Sequence, residues 1–345
     1  MKKIKYMIAI HHRPGNFSER WITYCNKKGI PYKLVNCYDS DIIKQLENCD
    51  ALMWHHSHIY YKDVLFAKQL LYSLKQAGIK VFPNFNTNWH FDDKIGQKYL
   101  LEAIDAPLVP SYVFYDKKTA IEWAFNTTYP KVFKLRGGAG SQNVSLIKNK
   151  KEALRIINGA FGKGFSQYNR LENFKEKYRR YRIGKETLWG VMKGIARLFI
   201  ATEFAKMNNR DKGYVYFQEF IPENNYDTRI IIVGDKAFGI TRGVRENDFR
   251  ASGSGNITYD KEKINIEMVK IAFDVNRKIN SQSIAYDFIL DGDKPLIVEI
   301  SYGYAIEAYD PCPGYWDTSL SWHEGQFNPQ EWMIENLINE LKINV

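Results

Sequence analysis

The sequence predicts a mixed α/β and α+β protein built from two or three packed units. Strand-like and helix-like patterns alternate through residues 1–85, the signature of a parallel sheet with covering helices. The final third is dominated by strand patterns joined by tight turns. With 345 residues, 45% apolar and 26% charged, the chain can bury more than one core and remain soluble.

The elements follow in order. KYMIAI is a first strand, since its apolar run is too short for a signal segment. NFSERWITYCNKKG is a helix ending at Gly29, YKLVN a strand, DSDIIKQLEN a helix and DALMWHH a strand. KDVLFAKQLLYSLKQAG is a long helix stopped by Gly78, and IKVFPN closes the unit as a strand. Ligands of such sheets bind at the carboxyl ends of the strands. His11 and His12 stand there after the first strand, and His55, His56 and His58 after the third. His11, His12, His55 and His56 are therefore expected to contact substrate. Zinc fits this cluster poorly, because no carboxylate or cysteine partner accompanies it.

FDDKIGQKYLLEAI is a helix, SYVFY a strand and KKTAIEWAFN a helix. YPKVFKLRGGAGSQNVSLIKNKKEALRIING reads as strand, glycine loop, strand and helix. Lys134 ends the first of these strands; Gly137, Gly138 and Gly140 beyond it let backbone N–H groups approach an anion. The loop matches neither the P-loop nor the Rossmann fingerprint. Residues 161–213 carry thirteen Lys and Arg against five Asp and Glu, which is most of the net charge of +10. The rest is close to neutral, so nucleic-acid binding is not expected. This basic segment reads as helical, and residues 175–206 fit either a packed helix with a solvated basic side or contact with an anionic partner or membrane surface.

YVYFQEFI, TRIIIVG and KAFGITRGV are strands, RENDFRASGSG is a polar loop and IEMVKIAFDVNRKI a helix. IAYDFIL and KPLIVEIS flank DGD as a hairpin with Asp287 in one strand and Glu299 in the other. Buried carboxylates need a cation, either a metal ion or nearby lysines and arginines. Arg229, Arg242, Arg245 and Arg250 lie in the same β-rich region, where Arg242 and Arg245 can pair with Glu246 and Asp248. The aromatic stretch YDPCPGYWDTSLSWHEGQFNP suits stacking on sugar or peptide faces, and PQEWMIENLINELK closes as an amphipathic helix. No apolar run reaches the 18 or so residues of a membrane span. Cys25, Cys37, Cys49 and Cys312 lack CxxC spacing, so reduced thiols and a cytoplasmic location are expected.

Seven stretches occur in an order that resembles the ATP-grasp superfamily of carboxylate–amine ligases, nearest to the ribosomal-protein glutamate ligases and glutathione-synthase-like members. They are DDK (92–94), KVFKLRGGAGSQNV (131–144), QEFI (218–221), DTR (227–229), RENDFRASGSG (245–255), YDF (286–288) and VEIS (298–301). The resemblance implies an ATP-grasp fold over residues 89–345 behind a Rossmann-like pre-ATP-grasp domain, 1–88. It divides the former into a lid region, 89–217, with the basic insertion at 161–213, and a C-terminal subdomain, 218–345.

The resemblance also implies ATP and Mg²⁺ as cofactors. Lys94 and Lys134 would touch the phosphates, and Gly137, Gly138, Gly140 and Ser141 belong to the lid loop. Gln218, Glu219, Phe220 and Ile221 form the adenine hinge, with Glu223 or Asn224 at the ribose. Arg229, Arg250 and Lys134 act on the transferring phosphoryl group, and Arg242 and Arg245 contact substrate. Asp287, Glu299 and Ser301 hold magnesium, although the family has asparagine where this chain has Ser301. The implied reaction joins a carboxylate to an amine through an acyl-phosphate. The acid is expected to be a uronic-acid sugar of a surface polysaccharide, with amino-acid or peptide ligation as the alternative. A kinase or a non-catalytic nucleotide module on the same fold are the remaining readings.

Overall fold

The computed structural model describes residues 6–138, 143–166, 210–245 and 248–343, with scattered positions between 174 and 193. Most of the basic segment, including most of residues 175–206, lies outside the described residues.

The alternating N-terminal pattern forms β1 (Ile8–His11), β2 (Tyr32–Val35), β3 (Ala51–Met53) and β4 (Lys80–Phe82). They make a four-stranded sheet in the order β2-β1-β3-β4, parallel throughout. Helices α1 (Phe17–Lys28) and α3 (Tyr61–Gln76) are full length. The intervening α2 (Ile42–Gln45) is a single turn, shorter than expected. The Asn36 and Gln45 side chains donate to Asp39, and Gln45 also to Asp41, so local polar contacts compete with a longer helix. A short helix that the pattern did not announce, α4 (Phe85–Asn88), follows, capped by Asn84. Next comes α5 (Lys94–Ala103), whose N-cap Asp93 accepts from the Gly96 N–H at 2.9 Å.

The second sheet has the order β5-β8-β6-β7, antiparallel throughout. Its strands are β5 (Ser111–Phe114), β6 (Lys131–Lys134), β7 (Val144–Ile147) and β8 (Val215–Glu219). Helices α6 (Lys117–Asn126) and α7 (Lys150–Ala160) cover one face, against Phe133, Leu135, Val215 and Phe217. The opposite face, bearing Lys134, Tyr216 and Gln218, turns toward the third sheet.

That sheet runs β13-β12-β9-β10-β14-β15, with β11 paired to β10. Its strands are β9 (Tyr226–Val233), β10 (Lys236–Gly243), β11 (Ile257–Thr258), β12 (Ser283–Asp291), β13 (Lys294–Ser301), β14 (Gly314–Asp317) and β15 (Trp322–Glu324). Helix α8 (Ile266–Ile279) buries Met268, Val269, Ala272, Phe273, Val275 and Ile279 on one flank. The β14–β15 hairpin and its flanks take up the aromatic stretch that the sequence left for ligand stacking. There Tyr309 and Trp316 are buried, Tyr315 stacks on His323, and Phe327 stacks on Trp332. These rings are spent on one another.

Helix α9 (Pro329–Ile343) closes the chain. Its Met333, Ile334, Leu337 and Leu341 share one buried cluster with Ile8, Phe17 and Trp21 of the first unit and Ile231, Phe238 and Ile240 of the third sheet. Full burial of side chains of this size contributes roughly 1.5–3 kcal/mol each, so the first sheet, the third sheet and the last helix are fused through apolar packing. All four cysteines are free and buried, and no helix of the described residues is long and apolar enough to cross a membrane.

Tyr286 is fully buried on β12 in the α8 cluster, and among the described residues its hydroxyl has no hydrogen-bond partner. A buried unmade hydrogen bond costs about 1–3 kcal/mol. Tyr286→Phe should therefore raise unfolding stability by about 1 kcal/mol, read from the urea midpoint. A drop in that midpoint would show that the hydroxyl is bonded.

Candidate active site

Three adjacent strands carry a row of charges. Register places Arg229 on β9 opposite Asp287 on β12, and Asp287 opposite Glu299 on β13. Directly opposed residues project to the same face of a sheet. Arg229 grips Asp287 with two hydrogen bonds, Nε to Oδ1 at 2.5 Å and Nη2 to Oδ2 at 2.6 Å. Arg242 reaches the same carboxylate at 3.0 Å and pairs bidentately with its cross-strand neighbour Asp227 at 2.6 and 2.7 Å. Burial alone would push the Asp287 carboxyl up; the guanidinium groups of Arg229 and Arg242 outweigh it and hold it well below the usual range. The neighbouring cations foreseen as one alternative for these carboxylates are thus present, and on Asp287 they are arginines.

Glu299 has its own cation. Lys94, the first residue of α5, places Nζ 3.3 Å from Glu299 Oε1 and donates to the Gly138 carbonyl at 2.7 Å. Lys134 ends β6 beside them, as buried as Lys94 at 5% exposure. Desolvation pushes its ammonium down to about 8, with Glu299 and Asp287 acting upward and Lys94 downward. Lys94, Lys134, Tyr216 and Glu299 line one narrow crevice between the second and third sheets.

The root of the glycine loop is tied to the start of α5 by three consecutive residues. Asp92 Oδ1 accepts from the Gly138 N–H at 2.7 Å, and Asp93 accepts from Arg136 Nη2 at 2.6 Å. The Lys94 N–H donates to the Arg136 carbonyl at 2.9 Å. Gly137 is buried beside this clamp, while Gly140 and Ser141 lie outside the described residues.

At the hinge, Glu219 is the last residue of β8 and Phe220 and Ile221 follow it. The Glu219 carboxylate turns to the helix-covered face, where Lys131 donates to both its oxygens at 2.5 and 2.7 Å and Tyr112 donates at 3.0 Å. The Glu219 carboxylate is thereby engaged away from the crevice side. Gln218 is buried and donates to Ser111 at 3.1 Å. The Asn224 amide exchanges two hydrogen bonds with the Leu290 main chain, each 2.9 Å, and so straps the hinge loop to β12. That engagement is the physical argument against the ribose role expected of its side chain.

Arg245 donates to the Ser252 carbonyl and Arg250 pairs with Asp248 at 2.6 Å, both within their own loop rather than on the strand row. Ser301 follows Glu299 on the same face and donates to the Gly303 carbonyl at 3.0 Å. Asp287 and Glu299 offer hard carboxylate oxygens from adjacent strands, which suits magnesium. Among the described residues no group of three or more His, Cys, Asp or Glu could hold a metal ion.

The histidines serve mostly as packing. His11 Nδ1 accepts from the Cys37 N–H at 3.0 Å, and burial with Arg13 nearby pushes its imidazole down to about 4. His55 stacks on Phe17 with centroids 3.7 Å apart, its imidazole pushed down to about 3 by burial. His12 is exposed beside Ser18. Neutral imidazoles filling aromatic joints replace the ligand contacts expected of His11 and His55. His56, buried against Phe91 and Tyr302, also borders a cavity of about 280 Å³ with His58, Lys68, Asp92, Asp93 and Arg136. His58, Lys68 and Asp93 are additions to the expected site.

Lys131 is another residue that sequence reasoning passed over; the signal was a lysine at an inward strand position two strands from a glutamate. Its side chain is almost fully buried. Lys131→Met strands the Glu219 carboxylate against Tyr112 and should destabilise the fold by about 3 kcal/mol, measured by denaturant unfolding. Loss of less than 1 kcal/mol would mean that solvent reaches the pair.

Comparison with known proteins was then informative. Residues 197–310 match the RimK-like ATP-grasp domain. Over 319 residues the chain is 22% identical to the alpha-aminoadipate–LysW ligase LysX of Saccharolobus solfataricus, covering 91% of this chain and 95% of that protein. The RimK-domain ATP-grasp protein of Sphaerobacter thermophilus superposes with a TM-score of 0.52 at 14% identity, over 96% of this chain and 99% of that one. D-alanine–D-alanine ligase of Bacillus anthracis in complex with ATP superposes with a TM-score of 0.54 at 10% identity, over the whole of both chains. The matched domain, the relative similar along most of the chain and the shared fold are those of ATP-grasp ligases.

Proposed function

We propose that this ligase binds ATP in the crevice between its second and third sheets and joins a small carboxylate to an amine seated in the adjoining cavity. The observation that carries the reading is the meeting of Lys94, Lys134 and Glu299 on one crevice, with the Arg229–Asp287 pair on the two strands next to Glu299. Lys94, Lys134 and Arg229 bear the positive charge that phosphates need, and the main chain of Phe220 and Ile221 faces the adenine end. Asp287 and Glu299, with Ser301, would hold magnesium, which would supply positive charge against the phosphates.

The chemistry follows from those placements. A carboxylate oxygen of the acid attacks the γ-phosphorus and ADP departs, leaving an acyl-phosphate. The amine nitrogen then attacks the acyl carbon, phosphate leaves and an amide remains, with a proton lost from nitrogen. Lys134 and Arg229 stabilise negative charge on the transferring phosphoryl group. The acyl-phosphate must be kept from water, the task that the resemblance gives to the glycine loop whose root is tied to Asp92, Asp93 and Lys94.

The cavity bounded by Lys68, Arg136, Asp92 and Asp93 presents both signs of charge and has room for a molecule of amino-acid or monosaccharide size. Mixed charge favours a zwitterion, so an amino acid or peptide is the substrate class read here. LysX, by its name, ligates alpha-aminoadipate to LysW, in keeping with that class. The uronic-acid reading loses the support of the aromatic stretch, whose rings pack on one another. The three-unit division of the chain at residues 88 and 217 is part of the same proposal, as is a role for His56 on the cavity wall.

A screen of acid–amine pairs for ADP release that requires both members tests the reading. ADP with phosphate and a new amide supports ligation; ADP with a stable phosphorylated acid identifies a kinase, and no turnover with any pair identifies a nucleotide-binding module. A uronic acid among the acids decides the sugar alternative. Nucleotide affinity should also fall as pH rises through about 8, the value to which Lys134 is pushed. Below that pH the ammonium is charged and attracts phosphate. Above it, affinity drops by about tenfold per pH unit, and Lys134→Arg should flatten the profile. An affinity unchanged between pH 7 and 9.5 would remove Lys134 from the phosphates.

A further inference from the structure

Each of the two carboxylates read as magnesium ligands already carries one of the protein's own cations. Asp287 holds Arg229 through two hydrogen bonds of 2.5 and 2.6 Å, and Glu299 holds Lys94 at 3.3 Å. Arg229 and Lys94 are also two of the three cations read as phosphate ligands. We propose that Arg229 and Lys94 are placeholders, so that metal and nucleotide enter together by an exchange of partners. This rests on reading Asp287 and Glu299 as metal ligands and the crevice as the nucleotide site.

The argument is one of desolvation. Asp287 is buried and Glu299 is half-buried, and neither is stable beside the crevice without a positive partner. Metal arriving alone must evict Arg229 and Lys94, leaving two buried cations with nothing negative to meet. Nucleotide arriving alone draws those cations onto phosphate and leaves Glu299 bare and Asp287 with Arg242 alone. Both arriving together satisfy every charge. The free energies of binding are then coupled through the protein, beyond the chelation of metal by nucleotide in solution.

Two features fit an exchange rather than a fixed lattice. Arg242 is anchored bidentately to Asp227 and keeps its 3.0 Å contact to Asp287, so the carboxylate retains one brace when Arg229 leaves. Lys94 Nζ also donates to the Gly138 carbonyl at 2.7 Å. Moving Lys94 onto phosphate therefore frees one tie at the root of the glycine loop, while Asp92 and Asp93 keep theirs.

The test measures Mn²⁺, as a paramagnetic stand-in for Mg²⁺, by electron paramagnetic resonance in the absence of nucleotide. Wild type should bind it weakly. Arg229→Met, Lys94→Met and the double substitution should each bind at least tenfold more tightly, because the carboxylates lose their placeholders. Adding Asp287→Asn to Arg229→Met should abolish the gain. Melting temperature read with and without Mn²⁺ gives a second measure should a variant be less stable: Mn²⁺ should raise it in the variants and not in wild type. Equal Mn²⁺ affinity in wild type and variants overturns the exchange. Calorimetry of wild type with ATP and Mg²⁺ separates the two levels. If Mg²⁺-ATP binds but no variant gains Mn²⁺, only the exchange fails; if Mg²⁺-ATP does not bind, the nucleotide site itself fails.

Discussion

The pairing of β9 with β12 and β12 with β13 is the constraint on which the site depends. A shift of one residue in either ladder would send Arg229, Asp287 or Glu299 to the opposite face of the sheet. Register is held by what lies around the charges: Ile230, Ile232, Ile284, Tyr286 and Ile300 are buried in the α8 cluster, and their alternation with the charged positions fixes which face each occupies. Apolar packing on one side of the sheet thus aims polar chemistry on the other. The irregularity between Asp287 and Phe288 in the β12–β13 ladder falls beside the pair itself and re-aims the strand at that point.

Much of the fold was legible because its periodicities are strong. The βαβ alternation, the β12–β13 hairpin and α8 all follow from apolar spacing and turn residues. Where local polar contacts compete, as around Asn36 and Asp39, the pattern overstated a helix. The β14–β15 hairpin was missed because its short strands are rich in aromatic residues whose partners, such as Phe327 and Trp332 against Tyr315, lie outside the hairpin. A ring that looks free in the sequence is free only if nothing distant covers it.

The site was legible as a set of residue types and illegible as a set of contacts. Lys94, Lys134, Arg229, Asp287 and Glu299 were singled out, and the structure places them together. That Asp287 would be shared by Arg229 and Arg242 depends on a strand order that no local pattern encodes. The histidines show the converse. Their position at strand ends was read properly, but there Tyr38 and Trp54 close over His11, and Phe17 of α1 and Tyr302 after β13 close over His55, so packing claims both. Lys131 went unremarked because its glutamate is 88 residues away, and only the antiparallel ladder brings them face to face.

Helix α9 has a consequence for how the protein is made. The apolar cluster it completes includes the first strand and first helix of the chain, yet it leaves the ribosome long after them. At synthesis rates of about 5–20 residues per second, the N-terminal sheet waits on the order of tens of seconds with Trp21, Tyr24 and Phe17 lacking their final cover. During that interval the nascent unit is an open half-core. The topology that welds the first and last elements into one body therefore makes the earliest-made part of the molecule among the last to reach its final form.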